Sequence, residues 1–361
     1  MIIPQRDTKR QSFESAIICK AMEIHTNIPL KNLTTIRLGG PTRFFVEVHS
    51  AEDLRSVYKN ALTQNIKPFV IGGGSNLIAH DEGYSGIIIR IRIPGFEITS
   101  EDAGTTTIKI GAGEDWDEIV KRTVELNLSG IEAMSGIPGT AGATPVQNVG
   151  AYGQEIADTL ISVDAYDTST DSFVTLDNSS CEFSYRHSIF RGNAAGRYII
   201  TSITLKLSKS IPAPPFYESL QKYLEQNNIT IYTQQTIRDA VLAIRADKLP
   251  DVKEKASAGS FFKNALVEKW QLDSLKKQFP EIPSYDMGEG KYKIPTGWLI
   301  EKAGLKGQLL HGIRVYEGNA LVLVNESATS YADLASARDE IIAKIRDLFQ
   351  IHIEQEPLEL T

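Results

Sequence analysis

Short apolar runs bounded by turn residues recur along the first 210 positions, a pattern typical of β-strands. They predict strands at 43–48, 67–74, 86–91, 105–113, 161–168, 172–176 and 198–208. Two stretches predict helices instead: 50–65, which Ser50 opens with Asp53 three positions later, and 115–127. The pattern therefore predicts a strand-rich α+β domain and not a regular alternation of strands and crossover helices.

The pattern changes after residues 209–216, "KSIPAPPF", whose three prolines mark a linker or boundary. Helices are then predicted at 217–226, at 236–247 with Thr236 as N-cap, at 267–279, at 296–303 and from Ser330 to about Phe349. A hairpin over 312–325 turns at 317–319, and a closing strand is predicted over 351–360. The second part of the chain is thus expected to be a smaller α+β domain.

Composition adds limits to this picture. The 361 residues suggest two or three domains, and 42% apolar with 23% charged residues indicates an ordinary globular protein. The net charge is -7 and the lysines and arginines are scattered, so no nucleic-acid footprint is visible. An anionic ligand would have to be held by a few local cations and backbone N–H groups.

The two cysteines, Cys19 and Cys181, are far apart and show no metal spacing. Residues 1–25 read as a polar extension without a signal-peptide pattern, and no run approaches the length of a membrane span. These features predict a cytoplasmic protein without a metal site and without membrane or nucleic-acid partners.

Three glycine-rich stretches could contact a ligand. "IGGGSN" (71–76) follows an apolar strand, and its glycines would let N–H groups point at one anion. It lacks the Walker lysine, and it fails the dinucleotide fingerprint at Leu77, as "GAGEDW" (111–116) fails at Trp116. "SGIPGTAGATPVQNVGAYG" (135–153) is long, uncharged and rich in small residues, which suits a flat ligand lying on bare backbone. A tight turn or a purely structural loop is the alternative for each.

"IGGGSN", "IPGTAGATPVQNVGAYG", "YRHSIF", "AGSFFKN" and "GWLIEKAGLKG" stand in the order and at about the spacing seen in UDP-N-acetylenolpyruvoylglucosamine reductases (MurB). The chain resembles this family from about Asn32 to Glu356. The resemblance implies an NADPH-dependent flavoenzyme of peptidoglycan precursor synthesis that reduces the enolpyruvyl double bond of UDP-N-acetylglucosamine enolpyruvate. It also implies a vanillyl-alcohol-oxidase (PCMH) type FAD-binding domain at 26–210, after the extension 1–25. A substrate-binding domain would follow at 211–361, its last strand returning to the active site.

By this resemblance the FAD pyrophosphate would lie on the 72–76 loop, and the ribityl chain and isoalloxazine on 137–151. The residues carried over are Gly72, Gly73, Gly74, Ser75, Asn76, Ile137, Pro138, Gly139, Thr140, Gly142, Ala143, Thr144, Gln147, Asn148, Gly150 and Ala151. No histidine occurs in either loop, so the flavin is expected to be non-covalent.

The catalytic residues implied by the resemblance are Arg186, Ser260 and Glu356. Arg186 would stabilise the enediolate that forms on the substrate carboxylate, because a guanidinium grips a carboxylate with two parallel bonds. Glu356 would share that task, with Glu354 as the alternative, and Ser260 would donate the proton. A hydrolase nucleophile would need glycines where Ala258 and Phe262 stand.

Substrate binding is carried over to Tyr217, Arg245, Lys248, Asn264 and Asn319. Tyr217 resembles the family branch in which a tyrosine loop closes over the substrate and excludes water. His187, beside Arg186, is expected to be a bystander. The resemblance further implies a monomer that uses NADPH as co-substrate.

Three other functions stay open at this point. An oxidase of the same cofactor fold would lack the serine, lysine and asparagine set of the second domain. A sugar-nucleotide or flavin-binding protein without turnover would lack counterparts of the catalytic residues. A serine hydrolase is the remaining alternative.

Overall fold

The computed structural model describes residues 22–361. The predicted N-terminal extension therefore lies largely outside the described residues, as does Cys19. The described residues contain eight α-helices. They are α1 Ala51–Thr63, α2 Trp116–Glu125, α3 Ile156–Thr159, α4 Glu218–Gln226, α5 Gln234–Lys248, α6 Lys269–Gln278, α7 Thr296–Lys302 and α8 Tyr331–Phe349.

Twenty strands accompany these helices in the described part of the chain. The first ten are β1 His25–Pro29, β2 Pro41–Val48, β3 Pro68–Ile71, β4 Leu77–Ala79, β5 Tyr84–Ile91, β6 Phe96–Glu101, β7 Thr105–Gly111, β8 Gly150–Ala151, β9 Gln154–Glu155 and β10 Leu160–Asp167. The others are β11 Ser172–Asp177, β12 Tyr198–Ser208, β13 Ala256–Ser260, β14 Ala265–Glu268, β15 Tyr285–Asp286, β16 Lys291–Ile294, β17 Leu309–Leu310, β18 Ile313–Val315, β19 Val322–Asn325 and β20 Leu358–Leu360.

The chain divides into two compact units. The first comprises 42–73, 85–245 and the described residues up to Asn27. It contains a four-stranded sheet of order β1-β2-β5-β3 and a five-stranded sheet of order β11-β10-β12-β7-β6. In the latter, Ile110 pairs with Ile203 and Ile108 with Leu205, and all four side chains are buried in one apolar cluster with Trp116 of α2. Burial of these large apolar side chains holds the unit together.

The two helices after the proline linker belong to this first unit. Leu220 and Leu224 of α4 pack with Ile237 and Val241 of α5 in a small apolar cluster that includes Ala133. Because these helices bury their apolar faces there, the changeover between the compact units falls at 245/246, inside α5, and not at the prolines. The domain boundary at 210/211, which the family resemblance implies, stays a prediction.

The second unit comprises 28–41, 74–84 and 246–361. Its sheets have the orders β13-β19-β18-β17, β14-β16-β15 and β20-β4. Helix α8 buries Ala337, Ile341 and Ile345 in a cluster that also contains Phe261 and Phe262. The hairpin predicted over 312–325 is present as β18 and β19.

Helix caps account for several element boundaries. The Ser50 hydroxyl accepts the Asp53 N–H at 3.1 Å, and the Ser330 hydroxyl accepts the Asp333 N–H at 3.1 Å, so both residues cap their helices as predicted. The prediction of Thr236 as an N-cap is wrong. Helix α5 begins at Gln234, where Thr233 N–H donates to Thr236 Oγ1 at 2.7 Å and Thr236 N–H donates back to Thr233 Oγ1 at 3.1 Å. The cap therefore lies at Thr233.

The closing strand is also shorter than predicted. Only Leu358–Leu360 forms a ladder, parallel to Leu77–Ala79, while 351–357 is extended with a single bridge between Phe262 and Gln355. Ile351 and Ile353 alternate with exposed residues because one side of the segment packs on the core. The polar strand β6 was not predicted.

Candidate active site

The glycine-rich loop 135–153 is an ordered part of the first unit. Two short 3-10 turns, Ala141–Ala143 and Pro145–Gln147, follow one another in it. The Ala141 N–H donates to Glu114 O at 2.9 Å and the Gly142 N–H to Ala112 O at 3.0 Å. These bonds fix the loop's backbone without any charged side chain of its own, which leaves a neutral surface suited to an uncharged ring.

An ion pair between buried Arg238 and half-buried Asp117 anchors the start of this loop. Arg238 of α5, only 6% exposed, donates to both carboxylate oxygens of Asp117, at 2.6 and 2.9 Å. Asp117 Oδ1 also accepts the Gly136 N–H at 2.6 Å. Sequence reasoning missed Asp117 and Arg238, since residues 121 positions apart carry no local signal of their pairing.

Arg245, predicted to bind substrate, lies two turns further along the same helix than Arg238. Its Nη2 donates to the Gly136 carbonyl at 2.8 Å. Burial lowers the pKa of Arg245, opposed by the hydroxyl of Tyr152 and the charge of Asp117. The guanidinium thus holds the loop through Gly136, and its binding of substrate stays a prediction.

The far end of the loop is tied to the segment that carries Arg186. Asn148 Nδ2 donates to Ser184 O at 3.3 Å, Ser188 Oγ donates to Val146 O at 2.6 Å, and Arg191 Nη1 donates to Gln147 Oε1 at 2.7 Å. The side chains of Gln147 and Asn148 therefore position this segment. Their predicted contact with a cofactor is untested.

Arg186 sits at the turn of this segment. Its backbone is left-handed, with φ of 55°, between Ser184 and His187, which form an isolated bridge. Its Nη2 donates to the Gly150 carbonyl at 3.3 Å, and its guanidinium carbon lies 5.4 Å from the centre of the Tyr185 ring. The structure thus brings Arg186 to the glycine-rich loop, as the predicted site requires. His187 is exposed.

Two glycines of the 72–76 loop have no room for a side chain. A Cβ at Gly72 would lie 2.5 Å from Thr140 Oγ1, in the first unit. Gly74 has φ of +70°, and a Cβ there would lie 1.9 Å from Leu33 O, in the second unit. At Gly72 the glycine lets the two predicted cofactor loops approach each other.

The predicted cofactor-binding residues fit FAD in their chemistry. Gly72 and Gly73 approach Thr140 and Gly139, so bare backbone is available in a neutral setting. The Thr144 hydroxyl donates to Ala141 O at 2.7 Å and is occupied within its own turn. Neither loop contains a charged side chain or a histidine. The assignment of each of the sixteen residues stays a prediction.

Tyr217, predicted to bind substrate, immediately precedes α4 and is 49% exposed. Its ring meets the Tyr152 ring edge-on, with centres 6.3 Å apart. Tyr152 is the residue between Ala151 and Gly153 in the glycine-rich loop and has a left-handed backbone, with φ of 49°. The structure therefore places Tyr217 at the end of that loop.

In the second unit, Ser260 ends strand β13. It pairs with Val322 of β19 after a register shift that follows Ser257, and Gly259 has φ of +70°. The two phenylalanines after it, each 1% exposed, are buried in the core of the unit. The "GSFF" sequence thus anchors the chain firmly and leaves the half-buried serine at the edge of the packed region.

The C-terminal tail lies alongside this segment. Glu356 N–H donates to Phe261 O at 2.9 Å and Lys263 N–H donates to Glu354 O at 2.9 Å. The side chains differ in their surroundings: Glu356 is only 8% exposed, whereas Glu354 is exposed and pairs with Lys263 Nζ at 2.9 Å. Glu356 is therefore the more buried of the two candidate carboxyl groups.

A polar cluster fixes the end of the tail. Glu359 accepts hydrogen bonds from Arg338 Nη1 at 2.6 Å and from the Tyr331 hydroxyl at 3.0 Å, and its Oε2 lies 3.2 Å from His80 Nε2. Burial would raise the pKa of Glu359, but the bonds from His80, Tyr331 and Gln355 and the charge of Arg338 lower it.

Three of the predicted substrate-binding residues, Lys248, Asn264 and Asn319, lie in the second unit, like Ser260 and Glu356. Asn264 Oδ1 accepts the Thr296 N–H at 3.1 Å, and Asn319 Oδ1 accepts the Leu321 N–H at 3.0 Å. Exposed Lys248 ends α5, and a Cβ at Gly318 would lie 3.2 Å from its carbonyl oxygen. Lys248 and the hairpin tip at Asn319 are therefore neighbours.

Within residues 22–361, no group of three or more histidine, cysteine, aspartate or glutamate side chains could hold a metal ion. None of the helices in that range combines the length and apolar character needed to cross a bilayer. Burial raises the pKa of the Cys181 thiol to about 11, which argues against a reactive cysteine at that position.

Two families match parts of the sequence. Residues 42–177 match the family described as "FAD binding domain", and residues 251–359 match "UDP-N-acetylenolpyruvoylglucosamine reductase, C-terminal domain". The fold class predicted from the sequence, an FAD-binding domain followed by a smaller α+β domain, is confirmed by these matches.

Relatives extend the likeness to almost the whole chain. UDP-N-acetylenolpyruvoylglucosamine reductase of Flavobacterium johnsoniae is 39% identical over 336 residues, which cover 93% of this chain and 99% of the relative. The enzyme of Ralstonia nicotianae is 37% identical over 91% of this chain and 97% of its own length.

A solved structure adds a likeness in fold. The reductase of Thermus caldophilus matches with a TM-score of 0.65 at 22% identity, covering 94% of this chain and all of that one. The family is shown by the sequence relatives, which are more than 30% identical over nearly the whole chain. The chain belongs to the UDP-N-acetylenolpyruvoylglucosamine reductases, also called UDP-N-acetylmuramate dehydrogenases, which are FAD-dependent oxidoreductases of peptidoglycan precursor synthesis.

Proposed function

We propose that this protein reduces the enolpyruvyl double bond of UDP-N-acetylglucosamine enolpyruvate with NADPH as reductant, and that Arg186, Ser260 and Glu356 carry the reaction. The observation that carries the proposal is the bond between Glu356 N–H and Phe261 O, which holds the glutamate beside the serine's own segment. When bound, FAD supplies the hydride for the outer carbon of the double bond.

Arg186 stabilises the negative charge that develops on the substrate carboxylate. Its turn is held to the glycine-rich loop through Gly150, Asn148 and Ser188. A preorganised cation lowers the energy of a developing anion because no reorganisation is needed at the moment of reaction.

Ser260 donates its hydroxyl proton to the carbon alpha to the carboxylate. The buried phenylalanines that follow it restrict the backbone and so fix the direction from which the proton arrives. Proton donation by a positioned group typically contributes about a hundredfold or more in rate. Glu356 stabilises the enediolate together with Arg186: as a protonated carboxyl group it donates a hydrogen bond to that anion, and its burial strengthens the bond.

Tyr217, Arg245, Lys248, Asn264 and Asn319 bind the substrate in this proposal. Lys248, at the end of α5 near the hairpin tip, supplies a mobile positive charge for the diphosphate. Tyr217 belongs to a loop that closes over the substrate, the property of one branch of the family, and its exposure and edge-on contact with Tyr152 support that role.

The setting of the activity follows from the same reasoning. We infer that the protein acts in the cytoplasm, because its substrate is a soluble sugar nucleotide, and that it acts as a monomer, as the family resemblance implies. The sixteen loop residues named above hold FAD non-covalently. The domains are 26–210 for the cofactor and 211–361 for the substrate.

The test is to purify the protein, record its visible spectrum for bound flavin, and follow NADPH oxidation with and without the enolpyruvyl sugar nucleotide. We expect a yellow protein that consumes NADPH at a sustained rate only when that substrate is present, with one UDP-N-acetylmuramate formed per NADPH. Arg186→Ala should keep the flavin and lose turnover. A yellow protein that turns over an alcohol with oxygen instead would favour an oxidase.

A further inference from the structure

Two buried hydroxyl groups in the second unit have no hydrogen-bond partner among residues 22–361. They are Thr35 Oγ1 and Ser257 Oγ, and Ser257 is only 1% exposed. A hydroxyl taken out of water loses its hydrogen bonds, so folded proteins rarely leave one unpaired. The neighbouring Thr34 shows the usual outcome, since its hydroxyl donates to Leu38 O at 3.2 Å.

The two hydroxyls belong to residues that are joined to each other. Ser257 N–H donates to Thr35 O at 3.1 Å, and Thr35 N–H donates to Gly74 O at 3.3 Å. A run of backbone hydrogen bonds thus leads from Gly74, in the glycine loop, through Thr35 to strand β13. Ser260 lies at the end of that same strand.

Both hydroxyls therefore lie along the run of hydrogen bonds that joins Gly74, through Thr35, to β13. Gly74 has the positive φ that lets a loop turn its backbone N–H groups toward an anion. A phosphate oxygen is a strong acceptor for a hydroxyl because it is charged, and a bond to it is about twice as strong as one between neutral groups. A buried water would accept less strongly.

We propose that Thr35 and Ser257 are further cofactor-binding residues, whose hydroxyls donate to pyrophosphate oxygens of FAD. The proposal rests on the role of the 72–76 loop proposed above. Unlike the glycines of that loop, these two side chains stand outside the motifs that carry the family resemblance to FAD binding. Their hydrogen bonds would link the pyrophosphate of FAD to strand β13, which ends at Ser260.

The test uses apoprotein of the full chain, prepared by removing flavin from the purified protein. Ser257→Ala, Thr35→Val and the control Thr34→Val are compared for FAD affinity, by flavin fluorescence, and for melting temperature without flavin. Ser257→Ala and Thr35→Val should each weaken FAD binding about tenfold or more. Their flavin-free melting temperatures should not fall, because each removes a hydroxyl that the apoprotein leaves unpaired.

The control should behave in the opposite way. Thr34→Val loses a bond that exists within the protein, so its melting temperature should fall while its FAD affinity stays within about twofold. Thr35→Ser, which keeps the hydroxyl, should restore the affinity. Riboflavin, which has no phosphate, should bind to Ser257→Ala and to the wild type equally.

Wild-type FAD affinity in both Ser257→Ala and Thr35→Val would overturn the proposal, as would an equal loss of riboflavin affinity. Failure of the proposed function looks different, because wild-type apoprotein would then bind no FAD or would bind it without reducing the enolpyruvyl substrate.

Discussion

The backbone N–H of Glu356 donates to the carbonyl oxygen of Phe261 at 2.9 Å, so two residues 95 positions apart are held next to each other beside Ser260. The bond belongs to a short series, since Lys263 N–H donates to Glu354 O and Phe262 forms a bridge with Gln355. The C-terminal tail therefore completes the surroundings of the serine within the second unit.

The first prediction separates the two glutamates of the tail. Glu356→Ala should lower kcat about a hundredfold or more, because the buried carboxyl group is lost from the reacting carboxylate's surroundings. Glu354→Ala should leave kcat within about fivefold, since this exposed side chain pairs with Lys263 at the surface, where an ion pair contributes little. Steady-state kinetics of the two purified variants give the comparison, and the reverse order would assign the role to Glu354.

The second prediction concerns the ion pair that anchors the glycine-rich loop. Asp117→Ala should destabilise the protein by on the order of 3 kcal/mol, because it leaves the buried Arg238 without its counter-charge. Asp117→Ala combined with Arg238→Met should recover part of that loss. Urea unfolding of the three proteins measures both effects, and a double variant less stable than Asp117→Ala would contradict this account.

The same pair predicts how stability depends on pH. Burial would raise the pKa of Asp117, but the bonds from Arg238 and the Gly136 N–H hold it below its ordinary value. Because the pKa of Asp117 is lower in the folded state, this stabilisation is fully present above the ordinary aspartate pKa of about 4. It is lost as the pH falls from there through the lower folded-state pKa. The Asp117→Ala variant should therefore show a weaker decline in melting temperature below about pH 4 than the wild type shows.

The third prediction uses two glycines with similar backbone angles. Gly74 has φ of +70° and Gly288 has φ of +81°, but only at Gly74 would a Cβ meet another atom, 1.9 Å from Leu33 O. Gly288→Ala should cost about 1–2 kcal/mol from backbone strain alone. Gly74→Ala should cost far more and should reduce the flavin content, which unfolding curves and visible spectra measure. Equal unfolding midpoints would contradict the close approach.

The fourth prediction concerns the tyrosine that precedes α4. Tyr217→Ala should raise KM for the sugar nucleotide about tenfold and leave the melting temperature nearly unchanged, because the side chain is half exposed. Tyr285→Ala, at another exposed tyrosine, is the matched control and should change neither quantity. An unchanged KM in Tyr217→Ala would remove the closing-loop assignment.

In the described part of the chain, local patterns predicted every helix except α3 and ten of the twenty strands. The caps at Ser50 and Ser330 were found because a hydroxyl and an acidic residue three positions later act within one turn. The cap of α5 was misplaced because Thr233 and Thr236 bond to each other, and either threonine fits the same short-range pattern. Strand β6 was missed because an edge strand exposed to water need not be apolar.

Motifs predicted the site residues, but the sequence did not indicate the residues that hold the site's loops in place. Arg186 and Ser260 stand in recognisable short sequences, whereas Asp117 and Arg238 pair across the chain with no local signal. The tail at 351–357 was read as a strand because its alternation reports one packed side, which an extended segment without a ladder also has. Contacts between residues far apart in the sequence, such as that of Asp117 with Arg238, form only when the chain folds and leave no local pattern.

The central claim is that Ser260 donates the proton, and its most direct test is to measure the two half-reactions of Ser260→Ala separately by rapid mixing. We predict that NADPH bleaches the flavin absorbance at near the wild-type rate, while the return of that absorbance on adding the enolpyruvyl sugar nucleotide slows about a hundredfold or more. Equal slowing of both phases, or a wild-type rate in the second, would contradict the claim.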